Sequence, residues 1–239
     1  MKEFTLFRMG THAILIQWDV VPSTTVLHGI LAVKKNLQEI FPFEIVHTYT
    51  ELLLKSNIPI TDYDHIATEI KACIAKTTFT TSQPYMKHYI PVCYDGQFGT
   101  DLILVADTLK LSVAEVIRLH KATQYTVHFI GFLPGFLYLE GLDNSLHISR
   151  KAKPALSVPK GSVAIGGTQT GIYPQTSPGG WYVIGHCPLS FFDVSSNPIC
   201  PFQAGDRLEF FEVDRATHKD ISKHIQEGTY THKKELCYG

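Results

Sequence analysis

The chain is poor in the features that most often announce a chemistry. Its five cysteines, Cys73, Cys93, Cys187, Cys200 and Cys237, are scattered and odd in number. That excludes a disulfide framework and a Cys-x-x-Cys metal or redox motif, leaving buried free thiols as the ordinary reading. Long apolar runs are missing too: a stretch such as Leu102–Ala106 is far shorter than the ~20 residues that span a bilayer. The opening residues, Met1-Lys-Glu-Phe-Thr-Leu-Phe-Arg8, hold no apolar signal core, so no membrane partner and a cytoplasmic location are expected. No sign of charge dominates, since 21 Lys and Arg face 22 Asp and Glu for a net −1. With no basic run either, nucleic acid is not an expected partner. There is no His-Glu-x-x-His, and His128, His147 and His186 make no ligand spacing, so no metal site is expected.

Two familiar catalytic patterns are approached and missed. Gly161-Ser-Val-Ala-Ile-Gly-Gly-Thr168 has the outline of a phosphate loop, but Gly167 stands where the lysine belongs. The segment also continues a β-like run, so it lacks the helix N-terminus that cradles phosphate. Ser177-Pro-Gly-Gly-Trp181 is not Gly-x-Ser-x-Gly, and no Asp and His order completes a triad.

What is present is an ordinary globular composition, 44% apolar and 18% charged, sized for one large domain or two small ones. His12–Trp18 reads as a strand. Ser23 caps a helix with Val26, Ile30, Val33, Leu37 and Ile40 at helical spacing, stopped by Pro42. Phe43–Thr48 and Glu51–Lys55 read as strands, and a second helix starts at Thr61 or Asp62. Followed by a strand at Tyr89–Tyr94, this order predicts an α+β N-terminal domain over 1–88, of the ferredoxin-like, split βαβ type. Beyond it, one clear helix, Ser112–Lys121, opens with the capping box Ser112-x-x-Glu115. Short β-like runs at Tyr125–Phe132, Ser162–Ile165, Tyr182–Gly185, Phe191–Val194 and Arg207–Val213 predict a closed or nearly closed, mostly-β barrel over 89–214. A polar helix and a tail take up 215–239.

Residues 131–206 pack glycine and proline densely around single aromatics, which specifies loops of fixed shape. In Gly131-Phe-Leu-Pro-Gly-Phe-Leu-Tyr138, Pro134-Gly135 suits a type II turn. That loop either buries Phe132 and Phe136 or offers backbone N–H groups and ring faces to a ligand. Gln169, Thr170 and Tyr173 either face water or point into a cleft. Gly179 and Gly180 let a backbone come close to a ligand; Pro178 is a candidate cis residue, and Trp181 an anchor. His120 shares the inner face of its helix. Its ordinary fate is a buried core histidine, and its alternative is an acid, base or proton shuttle. Asp206, after Gly205, either caps a turn or faces water.

The same run, with Ile90-Pro-Val-Cys-Tyr94, Phe98-Gly99, Asp101-Leu102, Glu115-Val116, His120 and Tyr125 upstream, resembles the family of the 5-oxoprolinase B component, KipI and allophanate hydrolase subunit 1-like proteins. The resemblance is strong from Ile90 to Phe210 and looser from Phe4 to Asp62. It implies that the barrel is cyclophilin-like. It also implies a subunit of an ATP-dependent enzyme that hydrolyses the lactam of 5-oxoproline to L-glutamate. ATP, with Mg, is then a co-substrate, and no cofactor is tightly held. The implied partners are a homologous, larger KipA-type protein (the C component of the 5-oxoprolinase) and a protein like its A component. With a site shared between barrels, the chain alone is expected to be inactive. The expected catalytic residues are His120, Gln169 and Thr170. Gly131, Phe132, Pro134, Gly135, Arg150, Tyr173, Gly179 and Gly180 are expected to bind substrate.

Two arginines usual in that family are absent. Its paired Pro-Arg steps read Ser149-Arg150 and Pro154-Ala155 here, and its Gly-Arg-Thr-Pro reads Gly185-His186-Cys187-Pro188. Alanine cannot hold an anion, and histidine does so weakly, while Lys151, Lys153 and Lys160 stand nearby as point charges. The rival implied by the resemblance is a KipI-type inhibitor of a sensor histidine kinase, which needs an exposed apolar patch and no intact polar cleft. Peptidyl-prolyl isomerase activity follows only from the barrel's shape, and shape does not carry function.

Overall fold

A computed structural model describes residues 3–80 and 83–238, in two compact units that divide between Gln83 and Pro84. The first contains β1 (Thr5–Met9), β2 (Ala13–Gln17), α1 (Thr24–Ile40), β3 (Glu44–His47), β4 (Glu51–Lys55) and α2 (Tyr63–Lys76). Ser23 Oγ accepts from the Val26 amide and starts α1, and Asp62 does the same for α2 through His65. The strands form an antiparallel sheet in the order β1-β2-β4-β3. Ile14 and Ile16 on β2 and Leu52 and Leu54 on β4 alternate inward and meet Ile30, Val33, Leu37 and Ile70 of the helices. Each such side chain contributes ~1.5–3 kcal/mol on burial.

One expectation is corrected here. The strand over Tyr89–Tyr94 does not complete this sheet; its fourth place is taken by β1. Sequence reading missed β1 because it is an edge strand with little alternation, most of its residues being exposed.

The second unit holds β5 (Pro84–Val92), α3 (Leu102–Leu109), α4 (Val113–Lys121), β6 (Gln124–Ile130), β7 (Leu137–Glu140), β8 (Ala155–Val158), β9 (Ser162–Gly166), β10 (Gln169–Ile172), β11 (Ser177–Gly179), β12 (Tyr182–His186), β13 (Arg207–Glu212), α5 (Arg215–Gln226) and β14 (Lys234–Tyr238). Eight strands pair in the order β12-β9-β10-β7-β6-β13-β5-β14, with β13 and β5 parallel. Cys93, just past β5, pairs with His186 at the end of β12 through two backbone hydrogen bonds of 2.9 Å. That bridge closes seven strands into a ring and leaves β14 outside it on β5. Val127, Leu139, Ile165, Ile172, Ile184 and Leu208 fill the interior. A separate ribbon of β8 and β11 stands beside the ring.

Four further differences follow. The run at Leu102–Ala106 forms α3, which was not foreseen because its apolar residues are continuous and show no period: Leu102, Val105 and Ala106 are buried while Ile103 and Leu104 are exposed. Phe191–Val194 is irregular and not a strand, although Phe191 is buried and stacks on Phe202 at 5.0 Å. The polar tail pairs as β14. Pro178 follows a trans bond; among the described residues the cis bond lies at Asn197-Pro198.

Candidate functional site

A cleft of about 320 Å³ opens between the β8–β11 ribbon and the 131–138 loop. Its walls are aromatic. Phe136 packs edge-on against Tyr173 (5.4 Å) and Trp181 (5.5 Å), and Tyr138 lies 5.0 Å from Phe136 and edge-on to Trp181 at 6.2 Å. Burial raises the Tyr173 and Tyr138 phenols above their usual range, and Arg150 opposes the rise at both.

Two cations line this cleft, and they differ. Lys151 donates to Asp101 at 2.7 Å and is neutralised there. Arg150 is exposed, sits 5.7 Å from the Trp181 ring, and forms no ion pair among the described residues. A guanidinium over an aromatic face with its hydrogen-bonding fork open suits a carboxylate.

The rim is a loop under strain. The Leu133 amide donates to the Gly131 carbonyl at 2.8 Å, a γ-turn that places Phe132 at φ +66°. Phe136 N–H then donates to Leu133 O at 3.0 Å, closing a turn with Pro134 first and Gly135 second at φ +84°, as a type II turn requires. A Cβ on Gly135 would also strike Phe192 Cβ at 2.6 Å. Positive φ at a phenylalanine costs ~1–3 kcal/mol and persists only when its surroundings impose it. The result is a phenylalanine 62% exposed at the lip of the cleft, edge-on to Phe136.

Of the residues expected from sequence, Phe132, Arg150, Tyr173, Gly179 and Gly180 line this cleft. Gly131, Pro134 and Gly135 shape its rim without lining it. Phe136 and Trp181 also line it; the sequence leaves Phe136 either buried or facing a ligand and reads Trp181 as an anchor. Their signal was the aromatic spacing around the glycines, which does not distinguish a wall from a core.

His120, Gln169 and Thr170 are placed elsewhere. His120 and Thr170 are 0% exposed, inside the ring. Thr170 Oγ1 donates to Ala164 O (3.1 Å), so it accepts from His120 Nε2–H (3.0 Å), and His120 Nδ1 accepts from the Tyr94 hydroxyl (2.7 Å). One neutral tautomer satisfies both ring nitrogens and both hydroxyls, and desolvation holds the imidazole down at about 3. His120 and Thr170 thus form a buried polar brace with Tyr94, apart from the lining of the cleft. Gln169 is half-buried, its amide oxygen without a hydrogen-bond partner among the described residues, and it does not line the cleft.

The remaining sequence candidates resolve simply. Cys187 is buried and its thiol is pushed up to about 12, which makes it inert. Asp206 is buried, accepting from the amides of Met86 and Gln203 and facing His88 Nε2 at 3.2 Å. His186, standing where an arginine was expected, donates from Nε2 to Lys160 O (2.9 Å) and so accepts at Nδ1 from His218 (2.9 Å). Among the described residues no group of three or more His, Cys, Asp or Glu could hold a metal, and no helix is long and apolar enough to cross a membrane.

K. lactis urea amidolyase superposes on 99% of this chain with a TM-score of 0.85 at 15% identity, over 16% of its own length, a likeness of fold alone. The sequence matches the model of the carboxyltransferase domain, subdomain C and D, over residues 4–202, and the chain belongs to that family. Curated relatives named as the B component of 5-oxoprolinase are 49% identical over 121 residues in Escherichia coli O157:H7 and 44% identical over 138 residues in Bacillus subtilis. These matches cover 51% and 58% of this chain, and the chain spans 56% of each relative's length. A conserved uncharacterized protein from Pyrococcus horikoshii is 33% identical, with 90% of this chain and all of that one covered, at a TM-score of 0.54.

Proposed function

We propose that the chain is a subunit of an ATP-dependent 5-oxoprolinase and that the aromatic cleft holds 5-oxoproline. The observation that carries this is Arg150. It is a guanidinium without an ion-pair partner among the described residues, 5.7 Å from Trp181, at the rim of a cleft whose other cation is neutralised. The lactam ring lies against Phe136, Tyr173 and Trp181, and the carboxylate is received by Arg150. The volume is at the small end of ligand sites (~300–1,000 Å³), as suits a single small ring. Phosphorylation of the lactam oxygen by ATP releases ADP and opens the ring carbon to water; cleavage of the C–N bond, with a proton to the nitrogen, leaves an acyl phosphate, and a second water hydrolyses it to glutamate and phosphate. In this reading the first unit is a ferredoxin-like variant and the strand ring a cyclophilin-like barrel. The general acid and base, the Mg that accompanies ATP, and full turnover come with the KipA-type partner and the A-component partner in the cytoplasm. Phe132 and Leu156, exposed at the cleft's loop and ribbon, are the surfaces such a partner would cover. Kinase inhibition is less well supported, because it calls for an apolar face without a polar cleft, and Arg150 charges this one.

The test is to co-express the chain with its partner proteins and assay ADP and glutamate formation that depends on 5-oxoproline. R150A is expected to raise KM for 5-oxoproline by ~10–100-fold, the loss of a charge-assisted pair. It should not affect binding of the analogue 2-pyrrolidone, which has no carboxylate. Coupled turnover that R150A leaves intact would overturn the placement of substrate. A stable complex that forms neither product would overturn the reaction.

A further inference from the structure

A second cleft in the same unit, about 430 Å³, shares no lining residue with the first. Its chemistry follows from α5. Arg215, His218, Lys219 and Ser222 fall at i, i+3, i+4 and i+7, so they share one helix face, and all four line the cleft with Gln97 and Phe98. No carboxylate lines it. Arg215 donates to Gln97 Oε1, which fixes its direction and spends one of its five donors. Neither Arg215 nor Lys219 forms an ion pair among the described residues. Two of the nearby acids are turned to backbone: Asp214 accepts from the Thr217 amide at 2.8 Å and Asp95 from the Gln97 amide at 3.0 Å. With Asp214 on the first turn's amides, an incoming anion meets the side chains and not the helix end.

The aromatic part of the lining is neutral. Phe98 is half-buried, its ring tilted against His186 (5.1 Å) and His218 (4.5 Å). The two imidazoles lock one another through the bond described above, and burial keeps both below the usual histidine range. The cleft therefore presents two cations that form no ion pair among the described residues, together with a braced aromatic ring. Two cations match a di- or triphosphate, whereas a nucleic acid strand would need a longer basic track than a chain of net charge −1 supplies.

We infer that this cleft binds a nucleoside polyphosphate, with the base stacked on Phe98 and the phosphates held by Arg215 and Lys219. The choice of a nucleotide among flat anions rests on the ATP-driven reading above; the charge and the ring do not. The site lacks the glycine loop and helix N-terminus of the common phosphate cradle, which explains why no such motif marks it in the sequence.

Isothermal titration of the full chain with ATP, and separately with tripolyphosphate, tests this. ATP is expected to bind the wild type, and R215A/K219A to weaken it by roughly 30–100-fold. K219E alone, on an exposed face, should act in the same direction. F98L is expected to weaken ATP by about 10-fold and leave tripolyphosphate unchanged. No binding at millimolar ATP, or equal affinity in R215A/K219A, would overturn the site, and an F98L variant that binds ATP like wild type would overturn the stacked base. ATP binding lost in R215A/K219A while the assembled complex never consumes 5-oxoproline would keep this site and remove the reaction. Wild-type turnover by an R215A/K219A complex would keep the reaction and remove this site.

Discussion

Gly179 and Gly180 are adjacent, both line the aromatic cleft, and both look alike in sequence, yet replacing them by alanine should have opposite outcomes. A Cβ on Gly179 would lie 2.2 Å from Tyr173 Oη and 2.7 Å from Cζ, about 1.2 Å short of ordinary contact at 3.4 Å. Tyr173 cannot swing away easily, because it is 2% exposed and wedged edge-on against Phe136. Either the ring is driven into the cleft or the pairing of Gly179 with Ala155 opens. Overpacking of this kind costs ~1–3 kcal/mol, or roughly 3–10 °C in melting temperature for a chain of this size. A Cβ on Gly180 meets nothing closer than Pro154 Cγ at 3.7 Å, so G180A should stay within ~0.5 kcal/mol of wild type. The assay is thermal denaturation followed by circular dichroism, paired with titration of 5-oxoproline against Trp181 fluorescence. G179A should melt early and lose the titration, and G180A should keep both. Equal behaviour of the two variants would refute the claim that Tyr173 sets the form of the cleft.

Two further outcomes concern the buried histidines. T170V removes the acceptor of His120 Nε2–H and the donor to Ala164 O, and should cost ~1–3 kcal/mol in denaturant unfolding; an unchanged midpoint would mean that the brace is not formed. His120, His218 and His232 are held at about 3, 4 and 4, below the unfolded value of 6.5, chiefly by burial. Below pH 6.5 the unfolded chain takes up protons that the native state refuses, so stability is full above 6.5 and falls as pH drops towards 4 and 3. A fully buried histidine such as His120 costs ~1.4 kcal/mol per pH unit in that window, about 3 kcal/mol by pH ~4.5. Unfolding midpoints measured from about pH 7.5 to 4.5 check this, and a flat profile would contradict the burial of these rings.

Local code was enough for the elements whose signals are local. Ser23 and Asp62 cap their helices as N-cap residues should, Ser112 accepts from Glu115 N–H, and the Pro134-Gly135 turn has the positive φ its composition calls for. The family was legible for the same reason, since its loops are written in glycine and proline. Elements without local signal were missed: β1 is held by pairing with β2, and α3 hides in an unbroken apolar run. The membership of β5 was decided by its parallel partner β13, more than a hundred residues away, and no window of sequence contains that contact.

The candidate site divides along the same line. Residue type and spacing alone determined that residues 131–181 build a rigid, aromatic, glycine-lined loop cluster and that one arginine survives in it. Tertiary structure alone decided which polar groups are available. Arg150 and Lys151 are neighbours in sequence, but Asp101 reaches only the lysine. His120 and Arg150 are equally plausible as chemistry, but the ring of strands closes over the histidine and leaves the guanidinium in solvent. Charge and accessibility depend on distant partners and on burial, which the order of residues along a chain does not state.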